Sequence, residues 1–173
     1  AVTRKIEVTV TPRFLSERSS PSNGYYFWAY TIDIANLGGE TVQLKDLKGR
    51  KVLVYFYPKA DTPGCTTQAC GMRDIIGDIG NTAVLGISPD KPAKQAKFDE
   101  KYGLGFPLLA DEDHAVADKW GAWGEKSLYG RKYLGIIRSA FVIDEKGKIA
   151  DAFYKVSPKA TFPKAEAALK DLA

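Results

Sequence analysis

With 173 residues, 45% hydrophobic and 27% charged, the chain is long enough for one cored domain and too apolar for a disordered segment. The net charge of +4 is spread evenly, with five basic and four acidic side chains in residues 1–45 and no run of Lys and Arg, which argues against a nucleic-acid or membrane-surface partner. The alternating, charged start AVTRKIEVTV lacks the apolar stretch of a secretory signal, no run of about 18 apolar residues could span a membrane, and two cysteines are too few for a disulfide scaffold, so the expected location is cytoplasmic.

Residues 1–44 predict two or three strands with no helix between them: KIEVTV alternates, GYYFWAYTIDIANL is aromatic and β-rich, and GGETVQL follows a Gly-Gly turn signal. A composition shift near Leu44 marks a boundary, and residues 45–173 read differently. KVLVYFY (51–57) is a continuous apolar run, suited to a strand buried on both faces and ended by Pro58. After the loop KADTPG comes a helix whose apolar stripe runs Cys65, Ala69, Met72, Ile76, Ile79. TAVLGIS (82–88) is a second buried strand, and Pro92 and Gly103 bracket a helix of about three turns. FPLLAD gives a short strand, DHAVADKWGAWG a short helix, SAFVIDEKGKIADAFYKV a hairpin, and PKAEAALKDLA a closing helix with Ala165, Ala168 and Leu169 on one side. Alternating strands and helices predict an α/β fold, with a largely parallel sheet, right-handed crossovers and an antiparallel edge from the terminal hairpin.

The chemistry is concentrated in TPGCTTQAC (62–70), which holds both cysteines. Two cysteines on one helix can be small buried hydrophobes. Zinc is a poor reading, because the spacing is C-x4-C and His114 is the one other soft ligand. Nor is it the C-x-x-C of a dithiol redox pair. Five positions along one α-helix separate two Cα atoms by roughly 8.7 Å, from a rise of about 7.5 Å and a turn of about 140°. A disulfide needs less than about 7 Å, so Cys65 and Cys70 can bond only if the first turn unwinds. A free thiol is only about 3% thiolate at pH 7. The unpaired N–H groups and dipole at a helix start favour the thiolate, which makes Cys65 a candidate nucleophile with a second thiol just out of reach.

In PKADTPGC, Pro58, Thr62 and Cys65 match a P-x-x-x-T-x-x-C motif, and GIIRSAFVID places Arg138 where a peroxiredoxin carries its active-site arginine. The chain from about residue 40 onward resembles the peroxiredoxins, and Cys70, five after Cys65, resembles their bacterioferritin comigratory (Q-type) subgroup. The resemblance implies a thioredoxin-like fold and reduction of hydrogen peroxide and organic hydroperoxides by thiols, without metal or prosthetic group. It implies that Cys65 attacks the peroxide and Cys70 resolves the product as an intramolecular disulfide. By the same resemblance Arg138 holds the thiolate, Thr62 hydrogen-bonds the peroxide, Pro58 shields the site, and a thioredoxin-like protein is the reductant. A monomer or weak homodimer is expected.

The opening segment usual in that family is absent. Residues 4–44 instead resemble the first strands of the bacterial ApaG family, a β-sandwich, which points to a chimera whose hairpin YTIDIANLGGETVQL replaces the missing one. On that view residues 1–44 are not an independent domain. The rival readings are an inactive or weakly active chimeric fold or binding protein, and a thiol redox sensor. Among other residues, His114 reads as a solvated or capping histidine, Trp120, Trp123 and Tyr129 as core or rim packing with the lining of a site mouth as the alternative, and Lys59 and Lys126 as surface. Arg73 is a candidate for the active-site network.

Overall fold

The computed structural model of the chain describes residues 6–14, 28–36, 47–128 and 130–172. The alternating N-terminal pattern forms β1 (Ile6–Phe14), which pairs antiparallel with β2 (Trp28–Asn36), Ile6 opposite Asn36 and Phe14 opposite Trp28. The Gly38-Gly39 turn and the strand expected after it lie outside the described residues.

The apolar run becomes β3 (Lys51–Phe56), followed by α1 (Pro63–Ile75), β4 (Thr82–Ser88), α2 (Pro92–Tyr102), β5 (Leu108–Ala110) and α3 (Ala115–Lys119). A hairpin of β6 (Trp123–Leu128) and β7 (Arg131–Ile136) precedes β8 (Ser139–Ile143), β9 (Ile149–Phe153) and α4 (Pro158–Asp171). The main sheet has the order β5-β4-β3-β8-β9. Its β3/β4 and β4/β5 pairs are parallel, and its β3/β8 and β8/β9 pairs antiparallel.

Successive side chains of β3 point to opposite faces, and this divides the core in two. Leu53, Tyr55 and Tyr57 face one layer with Cys65, Ala69 and Met72 of α1, Phe98 of α2 and Ala165 and Leu169 of α4. Val52, Val54 and Phe56 face the other, with Val116, Trp120, Ile136 and Phe141. Each of these large side chains, fully withdrawn from water, contributes about 1.5–3 kcal/mol. On the first face α1 and α4 lie in close contact. A Cβ on Gly71 would come within 2.3 Å of the Phe162 ring, so only glycine lets that ring lie on the α1 backbone.

Several expectations hold. Gly103 ends α2 in the left-handed conformation, φ 56°, and Pro92 opens it. Four other features differ from expectation. The helix expected over DHAVADKWGAWG is only Ala115–Lys119, because Gly121 turns the chain at φ 66° and Trp123 already belongs to β6. The β6–β7 hairpin was not foreseen, because Lys132, Tyr133 and Leu134 are exposed and leave no buried apolar run. The C-terminal hairpin is more than an edge, since β8, buried throughout, sits beside β3 in mid-sheet. The last helix also starts earlier than Pro163, at Pro158, where the Ser157 side chain accepts a hydrogen bond from the Ala160 N–H. No helix among the described residues is long and apolar enough to cross a membrane.

Candidate active site

Sheet register explains why residues 65 and 138 meet. Phe56 pairs with Ser139, so the end of β3 and the start of β8 lie together at one end of the sheet. The chain leaves β3 through Tyr57 and the half-exposed Pro58, and the loop before α1 is tied to α2 and its entry. The Ala60 N–H donates to Asp90 Oδ2 at 2.6 Å, and Asp61, at φ 59°, accepts from Lys101 Nζ at 2.9 Å and from the Tyr102 hydroxyl at 2.8 Å. These two donors, Lys101 first, hold the exposed Asp61 carboxyl below the usual aspartate range.

Pro63 occupies the first turn of α1 and Thr62 the capping position, with φ −103° and ψ 152°. The Thr62 hydroxyl does not cap the helix; it donates to Lys59 O at 2.9 Å. The first turn of α1 carries no acidic side chain, so the positive end of the helix dipole is left to whatever sits there. That residue is Cys65, 2% exposed.

Arg138 reaches it from the β7–β8 junction. Its backbone carbonyl accepts from the Val156 N–H at 3.1 Å, and the preceding Ile137 N–H donates to Ala122 O at 2.7 Å, so the side chain springs from a fixed base. Arg138 Nη2 donates to Cys65 Sγ at 3.3 Å, and Nη1 donates to Gln68 Oε1. Gln68 is fully buried. The guanidinium thus offers the buried sulfur a charged hydrogen-bond donor. Both cysteines are free thiols, and Cys70 is half-buried further along the same helix. The helical geometry thus keeps them apart, as their spacing requires.

Two buried phenols, Tyr55 and Tyr57, lie in the same layer as the sulfur. Burial first, then Tyr57 and Cys65, pushes the Tyr55 hydroxyl well above its ordinary range, and burial likewise raises Tyr57.

Lys126 is not the surface residue the sequence suggested. It is half-buried on β6, donates to Ile136 O at 2.8 Å, and lies in the field of the site. Burial, and then the Arg138 charge, depress its ammonium below the ordinary lysine range, while Cys65 opposes them. Lys59 is exposed.

Arg73 stays out of the network around Cys65: it donates to Tyr102 O at 2.7 Å and pairs with Asp74 at 2.7 Å. His114 sits at the start of α3 but stacks flat on Trp123, ring centroids 3.9 Å apart, and the Asp111 carboxylate meets the helix N–H groups instead. Trp120 packs on Phe56 and Phe141 in the layer opposite Cys65. Tyr129 lies outside the described residues.

Sequence reasoning missed Gln68. Its signal was there: a polar side chain three residues after Cys65, on the buried stripe of α1.

A family model described as the AhpC/TSA family matches residues 29–152. The chain belongs to the AhpC/TSA family. Peroxiredoxin Bcp of Escherichia coli is 56% identical over 117 residues, 66% of this chain and 75% of that protein. Peroxiredoxin Bcp of Bacillus subtilis is 43% identical over 136 residues, 78% of this chain and 87% of its own length. In three dimensions the chain is similar to the bacterioferritin comigratory protein of Xanthomonas campestris, studied for its alkyl peroxide reduction activity. The TM-score is 0.73 at 34% identity, over 79% of this chain and 87% of that one. The fold is that of a thioredoxin-like peroxiredoxin, and the activity that goes with this membership is a thiol-dependent peroxidase.

In this peroxiredoxin the Arg138 contact is expected to carry much of the reactivity of Cys65. Arg138→Met should slow the reaction with hydrogen peroxide about tenfold or more, the worth of a hydrogen bond from a charged donor. It should also slow alkylation of Cys65 at neutral pH. Stopped-flow peroxide consumption and iodoacetamide labelling measure the two, and unchanged rates in both would show that the helix start alone activates the thiol.

Proposed function

We propose that this chain reduces hydrogen peroxide and organic hydroperoxides through Cys65, with Cys70 as resolving thiol and a thioredoxin-like dithiol protein as reductant. The observation that carries the reading is the Arg138 guanidinium on Cys65 Sγ at the open end of α1, with the second thiol in the same helix.

In the first step the Cys65 thiolate attacks the terminal oxygen of the hydroperoxide. The S–O bond forms as the O–O bond breaks, sulfur is oxidised to a sulfenic acid, and the alcohol or water leaves after taking a proton from solvent. Arg138 lies where negative charge passes from sulfur to the departing oxygen. For Thr62 to donate to the peroxide its hydroxyl must turn away from Lys59 O. Pro58, at the mouth of the loop, limits water. In the second step Cys70 attacks the Cys65 sulfenic sulfur, the S–S bond forms and water leaves. This step requires the first turns of α1 to open. The third step is exchange with the external dithiol, which is oxidised as the bridge is reduced. None of these steps calls on a metal or prosthetic group. The reading places the protein in the cytoplasm, as a monomer or weak homodimer.

We also propose that residues 1–44 are a β segment of separate, ApaG-like origin joined to a peroxiredoxin domain of residues 45–173. Two observations support a covering role. β1 and β2 form a sheet of their own, and β1 runs close to β5 and α3. The second apolar layer, with Val52, Val54, Phe56 and Leu109, lies on the α3 side. The AhpC/TSA match begins at residue 29, within β2.

Thiol titration before and after one equivalent of peroxide tests the enzyme reading. The parent should lose two thiols per peroxide, Cys65→Ser should lose all turnover while keeping its fold, and Cys70→Ser should react once and then over-oxidise readily. Substantial turnover in Cys65→Ser would remove the assignment. For the N-terminal segment, deletion of residues 1–20 should leave a folded peroxidase. Deletion of residues 1–44 should lose several kcal/mol of the roughly 5–15 kcal/mol typical of a domain. Equal denaturation midpoints for the longer deletion and the parent would show the segment to be an appendage.

A further inference from the structure

One fully buried hydroxyl outside the peroxidase motif is wired to its arginine. Thr161, on the first turns of α4, donates its proton to Ser157 O at 2.8 Å and accepts from Gln68 Nε2 at 3.2 Å. A threonine hydroxyl has one proton, and here it goes to the backbone, so toward Gln68 the oxygen can only accept. Arginine can only donate. The Gln68 amide is therefore fixed in one orientation, with nitrogen to Thr161 and oxygen to Arg138. Without Thr161 the Gln68 N–H group is a buried donor with no partner, and turning it toward Arg138 would set donor against donor.

The same residues join α1 to α4 along a single face. A Cβ on Gly64 would lie 3.0 Å from Pro158 Cγ, Gln68 bonds Thr161, and Gly71 carries the Phe162 ring. Gln68 stands between the two cysteines, so opening the helix to join them must break the bonds it makes.

We propose that Thr161 is a positioning residue for the peroxide reaction, setting the Gln68 amide so that Arg138 is aimed at Cys65 and the cysteine helix is clamped to α4. The proposal rests on the reading of Cys65 as the reacting thiol. Two effects of opposite sign follow. The clamp promotes the first step, because it orders Arg138 on the sulfur. It delays the second, because it holds closed the segment that must open before Cys70 can displace water from the sulfenic acid. While that acid waits, a second hydroperoxide can oxidise it to the sulfinic acid, releasing the alcohol or water. Thr161 thus sets the partition between disulfide and over-oxidation.

The test uses Thr161→Val, which keeps the shape and removes the hydroxyl, and Thr161→Ser, which keeps the hydroxyl. Three readouts apply: the ultraviolet thiolate absorbance at neutral pH, the rate with hydrogen peroxide, and the peroxide concentration that half-converts the protein to the sulfinic acid by mass spectrometry. Thr161→Val should lower the thiolate signal, slow the peroxide step about threefold to tenfold, the range for one neutral hydrogen bond, and raise the peroxide needed for over-oxidation. Thr161→Ser should stay near the parent. In a Gln68→Met background, Thr161→Val should change the thiolate signal no further, because the two act in series. If Thr161→Val does not fold, Thr161→Ala is read the same way. Thiolate signal and over-oxidation equal to the parent, or a serine variant as impaired as valine, would overturn the proposal. The thiolate readout needs no turnover, so a parent without peroxidase activity would fail the reading of Cys65 while this comparison still decides the role of Thr161.

Discussion

The contact between Arg138 and Cys65 is the constraint on which the rest depends. The sulfur is 2% exposed, so little water reaches it, and the Arg138 guanidinium is the charged donor it meets. The donor comes from 73 residues away in sequence. Bringing it there takes the antiparallel pairing of β3 with β8, the register of Phe56 with Ser139, and a backbone at residues 137 and 138 tied to Ala122 and Val156. The buried sheet thus serves as the ruler between two short loops.

The same site has to be firm and then give way. The start of α1 has no side-chain cap and no acidic first turn, whereas α4 is capped by Ser157. An uncapped helix start frays at low cost, and that suits the opening proposed for the disulfide step. Holding it closed falls to tertiary contacts instead: the Arg138 bonds, the Gln68–Thr161 link and the Phe162 ring on Gly71. On the proposed reading, the balance between local weakness and tertiary restraint governs how long an oxidised sulfur waits for its partner.

Much of this was legible in the chain. TPGC declares a helix start with a cysteine in its first turn, and the five-residue spacing rules out a bond within an intact helix. The run 51–57 reads as a strand buried on both faces because its apolar residues are continuous. Arg138 was found through the family resemblance, since no local pattern ties it to residue 65. The mid-sheet place of β8 was missed because a hairpin signal says nothing of which strand it pairs with next. The β6–β7 hairpin was missed because its outer strand is exposed. Gln68 was passed over in a stripe otherwise apolar, although a polar residue on a buried face is the one that asks for a partner.

The most direct test of the account is non-reducing peptide mapping of the protein after one equivalent of hydroperoxide. The account predicts a single bridge between Cys65 and Cys70 within one chain, with the loss of two hydrogens and no added oxygen. A bridge between two chains, or a Cys65 sulfinic acid formed while Cys70 stays reduced, would contradict it.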